Sequence, residues 1–285
     1  MKVSDKYPGV KLGFSTQNFL AAMPVSVDNL KEILDFAASE GFAFIELRDP
    51  DAKLCETECE VLADYAILKN LQVIYEIHKD LFSPDFREVF DRAVRNTAIF
   101  GEPGLLRSIL SFSEFASDTS KKGWTREELE KISALADLCA RDAKEMGVQF
   151  MLENIIEPWS GDGENMGLED FFASTSEVGL QFDTANPFLS SCRGIADPGA
   201  VTEYLGTISD RWYMTHLKCA ADDAFQPILM DNPLPYSEVF ELMAIHKVAY
   251  AALELLGVES KVECYENHLQ SLRYLASEGI IELNQ

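Results

Sequence analysis

The sequence predicts an α/β chain folded as a single (β/α)8 barrel, the TIM-barrel architecture, over residues 1–285. Three observations predict it. Short apolar runs alternate with longer amphipathic stretches, and alternating βα units imply a parallel sheet. The rhythm repeats eight times, and 285 residues suit eight such units. No low-complexity tract and no Pro/Gly/Ser-rich linker divides the chain. The runner-up architecture is a doubly wound open sheet, but no GxGxxG follows the first strand, which removes the usual sign of its dinucleotide-binding form.

Residues 11–19 (KLGFSTQNF) read as the first strand. Ser26 offers an N-cap hydroxyl, Leu30, Ile33, Leu34 and Ala37 follow at helical spacing, and Gly41 stops the helix. Residues 42–47 (FAFIEL) make the second strand, 58–70 a helix, 72–78 (QVIYEIH) the third strand, and 85–100 a helix ending near Gly101. The fourth strand is 105–110. Thr125 and Glu128 form a capping box for a helix that runs to Met146, before Gly147. The second half continues with strands at 148–154, 180–183, 212–218 and 248–255, and helices at 168–176, 198–208, 237–245 and 263–277.

Composition narrows the function classes. Forty-eight acidic against 24 basic side chains give a net charge of -24. Such a chain repels a phosphate backbone, so non-specific nucleic-acid binding is disfavoured and solubility is the simplest reading of the charge. No apolar run is long enough to span a bilayer, and residues 1–10 lack the apolar core of a signal peptide. The six cysteines, of which only Cys55 and Cys59 are close in sequence, read as free thiols of a reducing compartment. A soluble, cytoplasmic protein is expected.

Barrel active sites are built where strands end. Strand five ends in MLEN with Glu153, strand six in FDT with Asp183, strand seven in THLK with His216, and strand eight in ALE with Glu254. Consecutive members are 30 (183 − 153), 33 (216 − 183) and 38 (254 − 216) residues apart, each about one βα unit. They should therefore end neighbouring strands and converge. Taken singly, an acid at a strand end is more often a solvated loop residue, and His216 more often a core histidine. Together, three close carboxylates would repel strongly in a low dielectric. A divalent cation removes that conflict, and carboxylates with one imidazole suit Mn, Mg, Co or Zn.

The same residues carry a family likeness. LENI at 152–155, FDTANP at 182–187, HLK at 216–218 and LE at 253–254 resemble the xylose isomerase-like TIM barrel superfamily. That group includes sugar isomerases, ketose 3-epimerases, inosose and dehydroshikimate dehydratases, and endonuclease IV. The likeness runs through nearly the whole chain; no single motif is specific, but their order and spacing are. It implies metal ligation by Glu153, Asp183, His216 and Glu254, with manganese favoured, and proton transfer by Glu153 and Glu254. It also places Asn186 and Lys218 at substrate. Glu46 (in IELR), His78 and Arg107, which end strands two to four, are further candidates for substrate contact. For Arg107, surface salt-bridging is an equal reading. Trp159 and Phe188 could supply an apolar wall, or simply be packed. His246 and His268 read as structural or exposed.

The sequence also departs from the pattern. Cys219 stands where the family usually has Asp after the lysine. Asp222 stands where ketose 3-epimerases bind substrate with Arg, and Trp159 where they carry a second Glu. These departures count against a ketose 3-epimerase and leave the ligand set untouched.

The expected chemistry is proton abstraction next to the carbonyl of a sugar or keto-polyol, through an enediolate, leading to isomerisation or epimerisation. A leaving group beside the enediolate would make the same site a lyase. Phosphodiester hydrolysis in the manner of endonuclease IV needs three metals and more ligands than four histidines can provide. A non-catalytic sugar-binding barrel is disfavoured by the complete ligand set. The expected partner is a small carbohydrate, with no nucleic acid and no membrane; a homo-oligomer fits the family's habits.

Overall fold

The computed structural model describes residues 1–110, 118, 121–190 and 196–283. Eight parallel strands close into a barrel: β1 (Lys11–Ser15), β2 (Phe44–Arg48), β3 (Gln72–Asp80), β4 (Leu105–Ile109), β5 (Gln149–Glu153), β6 (Gly179–Asp183), β7 (Trp212–Leu217) and β8 (Tyr250–Leu253). Closure comes from β8 pairing with β1, with Leu253 opposite Phe14. The helices of the outer layer are α1 (Val27–Glu40), α2 (Glu56–Leu68), α3 (Phe86–Phe100), α4 (Arg126–Glu145), α5 (Leu168–Ser174), α6 (Pro198–Thr207), α7 (Tyr236–His246) and α8 (Lys261–Ser277). The predicted alternation is the observed one.

Local chemistry sets the boundaries. Ser26 Oγ accepts the Asn29 N–H at the start of α1, and Gly41, at φ 81°, closes it. All four predicted core residues of that helix are buried. Thr125 and Glu128 exchange the bonds of a capping box at α4. The first strand is shorter than expected. Ser15 accepts the Gln17 N–H and turns the chain into a 3-10 helix, Thr16–Phe19. The third strand runs two residues further than expected, to Asp80.

Two small pairings had no strong sequence signal. Lys2–Val3 lies antiparallel to Ile281–Glu282, and Ala220–Ala221 pairs with Ala224–Phe225 across a turn in which Asp222 and Asp223 have φ 53° and 58°. Cys55, Cys59, Cys139, Cys219 and Cys264 are free thiols; Cys192 lies outside the described residues. Among the described residues no helix is long and apolar enough to cross a membrane.

The barrel interior is layered. Phe44, Ile74, Leu105, Met151, Met214 and Ala252 form a buried apolar plug. Gly13 on β1 belongs to this level: a Cβ there would stand 2.5 Å from the Phe44 carbonyl and strike its ring, so glycine makes room for the phenylalanine. Successive side chains on a strand alternate faces, so residues two apart share one. Two positions after each plug residue comes a buried polar side chain: Glu46, Glu76, Arg107, Glu153, His216 and Glu254. The plug is the floor on which the polar layer stands.

Candidate metal centre

Glu153 ends β5, Asp183 ends β6, His216 is the penultimate residue of β7, and Glu254 follows β8 directly. One donor atom from each lies within 4.8 Å of the others, and all four side chains are buried. The predicted convergence of these four residues is observed.

Side chains beyond the strand ends hold the backbone of this layer in place. Asn154 Oδ1 accepts the Asp183 N–H at 2.7 Å, and its Nδ2 donates to the Asp183 carbonyl at 3.3 Å. Thr184 Oγ1 does the same for Lys218, donating to its carbonyl at 2.9 Å and accepting its N–H at 3.0 Å. Asp183 Oδ1 accepts the N–H groups of Ala185 and Asn186, both at 2.8 Å. Its other oxygen, Oδ2, is buried with no hydrogen-bond partner among the described residues and faces the centre, 3.5 Å from Lys218 Nζ.

The imidazole of His216 is oriented from behind. Its Nε2 lies 2.6 Å from Glu46 Oε2 and also contacts the Gln181 amide. With a carboxylate at Nε2, the proton belongs there and Nδ1 is left as a lone-pair donor, the usual arrangement behind a ligating histidine. That Nδ1 faces Glu153 at 3.1 Å, Glu254 at 3.3 Å and Asp183 at 3.9 Å.

Three permanent cations complete the layer. Glu76 Oε1 accepts from Arg48 Nη1 at 2.6 Å and from Arg107 Nη1 at 2.5 Å, while Ser15 Oγ donates to its other oxygen. Arg107 also pairs with Glu153 through Nη2, and Arg48 lies 3.5 Å from Glu254. Lys218 Nζ is 2.6 Å from Glu254 Oε2 and 4.3 Å above the Phe225 ring. Five carboxylates (Glu46, Glu76, Glu153, Asp183, Glu254) against Arg48, Arg107 and Lys218 leave two negative charges when His216 is neutral, as a ligating imidazole is, and one when it is protonated.

For the protein groups alone, that surplus draws a proton onto His216. Burial by itself would lower the His216 imidazole, but Glu46 and Glu254 raise it to about 10. Burial raises Asp183 against the opposing pull of Lys218. For Glu254 burial is outweighed by Lys218 and His216, which hold it well below the usual carboxylate range. Burial lowers His78 to about 3, with Arg48 and Arg107 adding to the effect, so that side chain is neutral.

A divalent cation suits this arrangement on three counts: the surplus of two negative charges with His216 neutral, an Asp183 oxygen that accepts no hydrogen bond among the described residues, and an all-oxygen-plus-imidazole donor set.

Above the layer opens a cavity of about 400 Å³, lined by Arg48, His78, Arg107, Asn186 and Lys218 and, nearer solvent, by aliphatic residues such as Ile155 and Leu256. Four of the five residues expected at substrate therefore face it. Glu46 does not: two positions above Phe44 it lies under the imidazole, wholly buried, with its carboxylate on His216 and the Gln181 amide. Trp159 is in the core against Phe182 and Tyr204, and Phe188 is packed in the same core; neither lines the cavity. The apolar lining comes instead from Phe225 and from residues near Glu153 and Glu254 in sequence. Arg107 is buried in the charge network, not paired at the surface.

Sequence reasoning missed Glu76, Arg48 and Gln181. Each carried a signal, since Glu76 stands two before His78, Arg48 two after Glu46, and Gln181 two before Asp183.

Among solved structures the barrel has close counterparts. A D-allulose 3-epimerase from Methylomonas sp., in complex with D-allulose, superposes with a TM-score of 0.67 at 12% identity, over 97% of this chain and 99% of that one. A xylose isomerase-like TIM barrel protein from Mycobacterium smegmatis, in complex with magnesium, gives 0.66 at 16% identity, over 94% and 97%. The probable 3-DHS dehydratase of petrobactin synthesis from Bacillus anthracis gives 0.64 at 15%, over 94% and 99%. This chain has their fold. No protein-family model and no curated protein matches it. The expected resemblance to xylose isomerase-like barrels thus holds in architecture.

Proposed function

We propose that this chain is a divalent-metal-dependent isomerase or epimerase of a sugar or keto-polyol, in which Glu153, Asp183, His216 and Glu254 hold the cation. The observation that carries the reading is the buried four-donor cluster, two negative charges in surplus, at the floor of a cavity lined by polar groups. The solved barrels of the same fold include an epimerase bound to a ketose and a protein bound to magnesium, which supports both halves of the reading.

When bound, a divalent cation supplies Lewis acidity, polarising a carbonyl and stabilising charge on an enediolate. The side chains do the rest. Glu153 and Glu254 come from β5 and β8 and reach the centre from different sides of the barrel. One removes the proton beside the carbonyl. The other returns it to the opposite face for epimerisation, or to the neighbouring carbon for isomerisation. Lys218, which lines the cavity and is 2.6 Å from Glu254, donates to a substrate oxygen that gains negative charge. Arg48 and Arg107, held by Glu76, keep the two glutamates in place while charge shifts. His78, neutral, and Asn186 offer hydrogen bonds to hydroxyl groups.

One arrangement favours elimination as a second reading. Trp159 is locked in the core and Asp222 lies in the tight turn, so neither offers the substrate contact made at these positions by ketose 3-epimerases. A β-leaving group would then depart from the same enediolate.

The test uses purified protein with Mn2+ and a panel of ketoses, inososes and 3-keto sugars in D2O. Deuterium incorporation with retention of water and aglycone supports isomerisation or epimerisation. A new conjugated-carbonyl absorbance supports the lyase. No exchange beside the carbonyl in any member of the panel would overturn both.

A further inference from the structure

Glu254 is the one candidate donor supplied by the strand that closes the barrel, and it lies just past the end of that strand, where β8 no longer pairs with β1. Its own N–H donates to the Leu217 carbonyl on the β7 side at 3.0 Å. On the β1 side the ladder is replaced by one side chain. Asn18, in the 3-10 helix after β1, donates from Nδ2 to the Leu253 carbonyl at 3.0 Å and accepts the Leu255 N–H at Oδ1 at 2.8 Å. The residues on either side of Glu254 are thereby held by a single amide, about 235 positions away in sequence.

That amide is held in turn. A backbone N–H can only donate and a carbonyl only accept, so the two contacts fix which end of the Asn18 amide is nitrogen. The second Nδ2 hydrogen points at His268 Nε2, 2.9 Å away on α8. His268 Nδ1 lies 2.7 Å from the Cys264 carbonyl, so Nδ1 carries the proton and Nε2 is left as acceptor. The imidazole is buried, stacked on Phe19 at 4.8 Å and met edge-on by Phe14. Every side-chain polar atom of the pair has a partner, and neither residue lines the cavity.

We infer that Asn18 and His268 are positioning residues for Glu254: the His268 imidazole sets the Asn18 amide, which fixes the backbone that aims the Glu254 carboxylate at the cation. The inference rests on the reading of Glu254 as a metal ligand. Residues that orient ligands from outside typically control metal affinity or activity by about 10–100-fold.

The experiment is calorimetric titration of Mn2+ into metal-stripped protein, with kcat followed in parallel once a substrate is in hand. Asn18→Asp keeps size and the acceptor for Leu255 but loses both donated hydrogens. His268→Leu removes the acceptor for Nδ2, whereas His268→Gln keeps one. Asn18→Asp and His268→Leu should bind Mn2+ about 10–100-fold more weakly, and His268→Gln should stay close to the unaltered protein. Equal affinity in all variants, or equal losses for His268→Leu and His268→Gln, would overturn the positioning role. If Asn18→Asp does not fold, the two His268 variants decide. If the unaltered protein takes up no Mn2+, the metal reading itself fails and this inference with it; the two failures are separable.

Discussion

The two halves of the barrel meet the cavity with opposite chemistry. Strands β5 to β8 bring Glu153, Asp183, His216 and Glu254, all four candidate donors. Strands β2 to β4 bring Arg48, Glu76, His78 and Arg107, and Glu46 beneath them. One half gathers negative charge at a point; the other supplies guanidinium groups that reach across to Glu153 and Glu254. The contrast teaches that the donor acids are held in a buried setting by cations from both halves, Lys218 beside them and Arg48 and Arg107 across from them. Glu46 and Glu76 offset the two arginines, so with His216 neutral the layer stops two charges short. A buried carboxylate without a partner is costly. The residual pair of charges is what a divalent ion would satisfy.

The sharpest way to break this division of labour is in the donor half. Glu254→Gln keeps shape and removes the proton carrier, and turnover should fall by about 10⁴-fold, with the circular dichroism spectrum unchanged. Retained activity would refute the role given to Glu254. The screening half should show its importance in stability. Arg107→Met leaves Glu76 and Glu153 without a shared partner, and urea unfolding in metal-free buffer should show a loss of about 4 kcal/mol. A loss no larger than that of an exposed substitution would mean the network is not coupled as described.

The charge surplus itself is tested by adding the ion. Mn2+ at a hundred times its dissociation constant should stabilise the protein by about 2.7 kcal/mol over EDTA, read as a rise in Tm. His216→Ala should lose most of that rise. A last effect concerns the packing behind the donor half. Burial lowers His268 from 6.5 to about 4, so the folded state resists a proton that the unfolded chain accepts. Stability is then present above pH 6.5 and declines by about 1.4 kcal/mol per pH unit below it, levelling off near pH 4. His268→Gln should flatten that component of the slope in paired unfolding curves, and an unchanged slope would contradict it.

Much of this was legible in sequence because two periodicities were clean. Helical spacing in α1 and the capping box at Thr125 gave the outer layer, and the strand endings gave the four donors with their spacing. Glu76 was hidden by proximity to His78, a more familiar ligand type on the same face of the strand. Counting by twos from the plug residues would have found it, but the plug is recognisable only once the register of eight strands is known. Glu46 was read as facing substrate because strand-end position tells which rim a residue is near and not its depth; depth depends on the tilt and stagger of the strands. Asn18 was beyond reach for a different reason. Its partners are backbone atoms at the far end of the chain, and backbone atoms leave no residue-type signature.

The Asn18 clamp has a consequence for how the protein is made. All four donors emerge from the second half of the chain during synthesis, yet the brace for the last of them waits near the beginning, and the ring that sets the brace arrives at position 268. A nascent chain therefore carries Glu254 before it can aim it, and a fragment spanning β5 through Glu254 alone would hold every candidate donor but lack both Asn18 and His268.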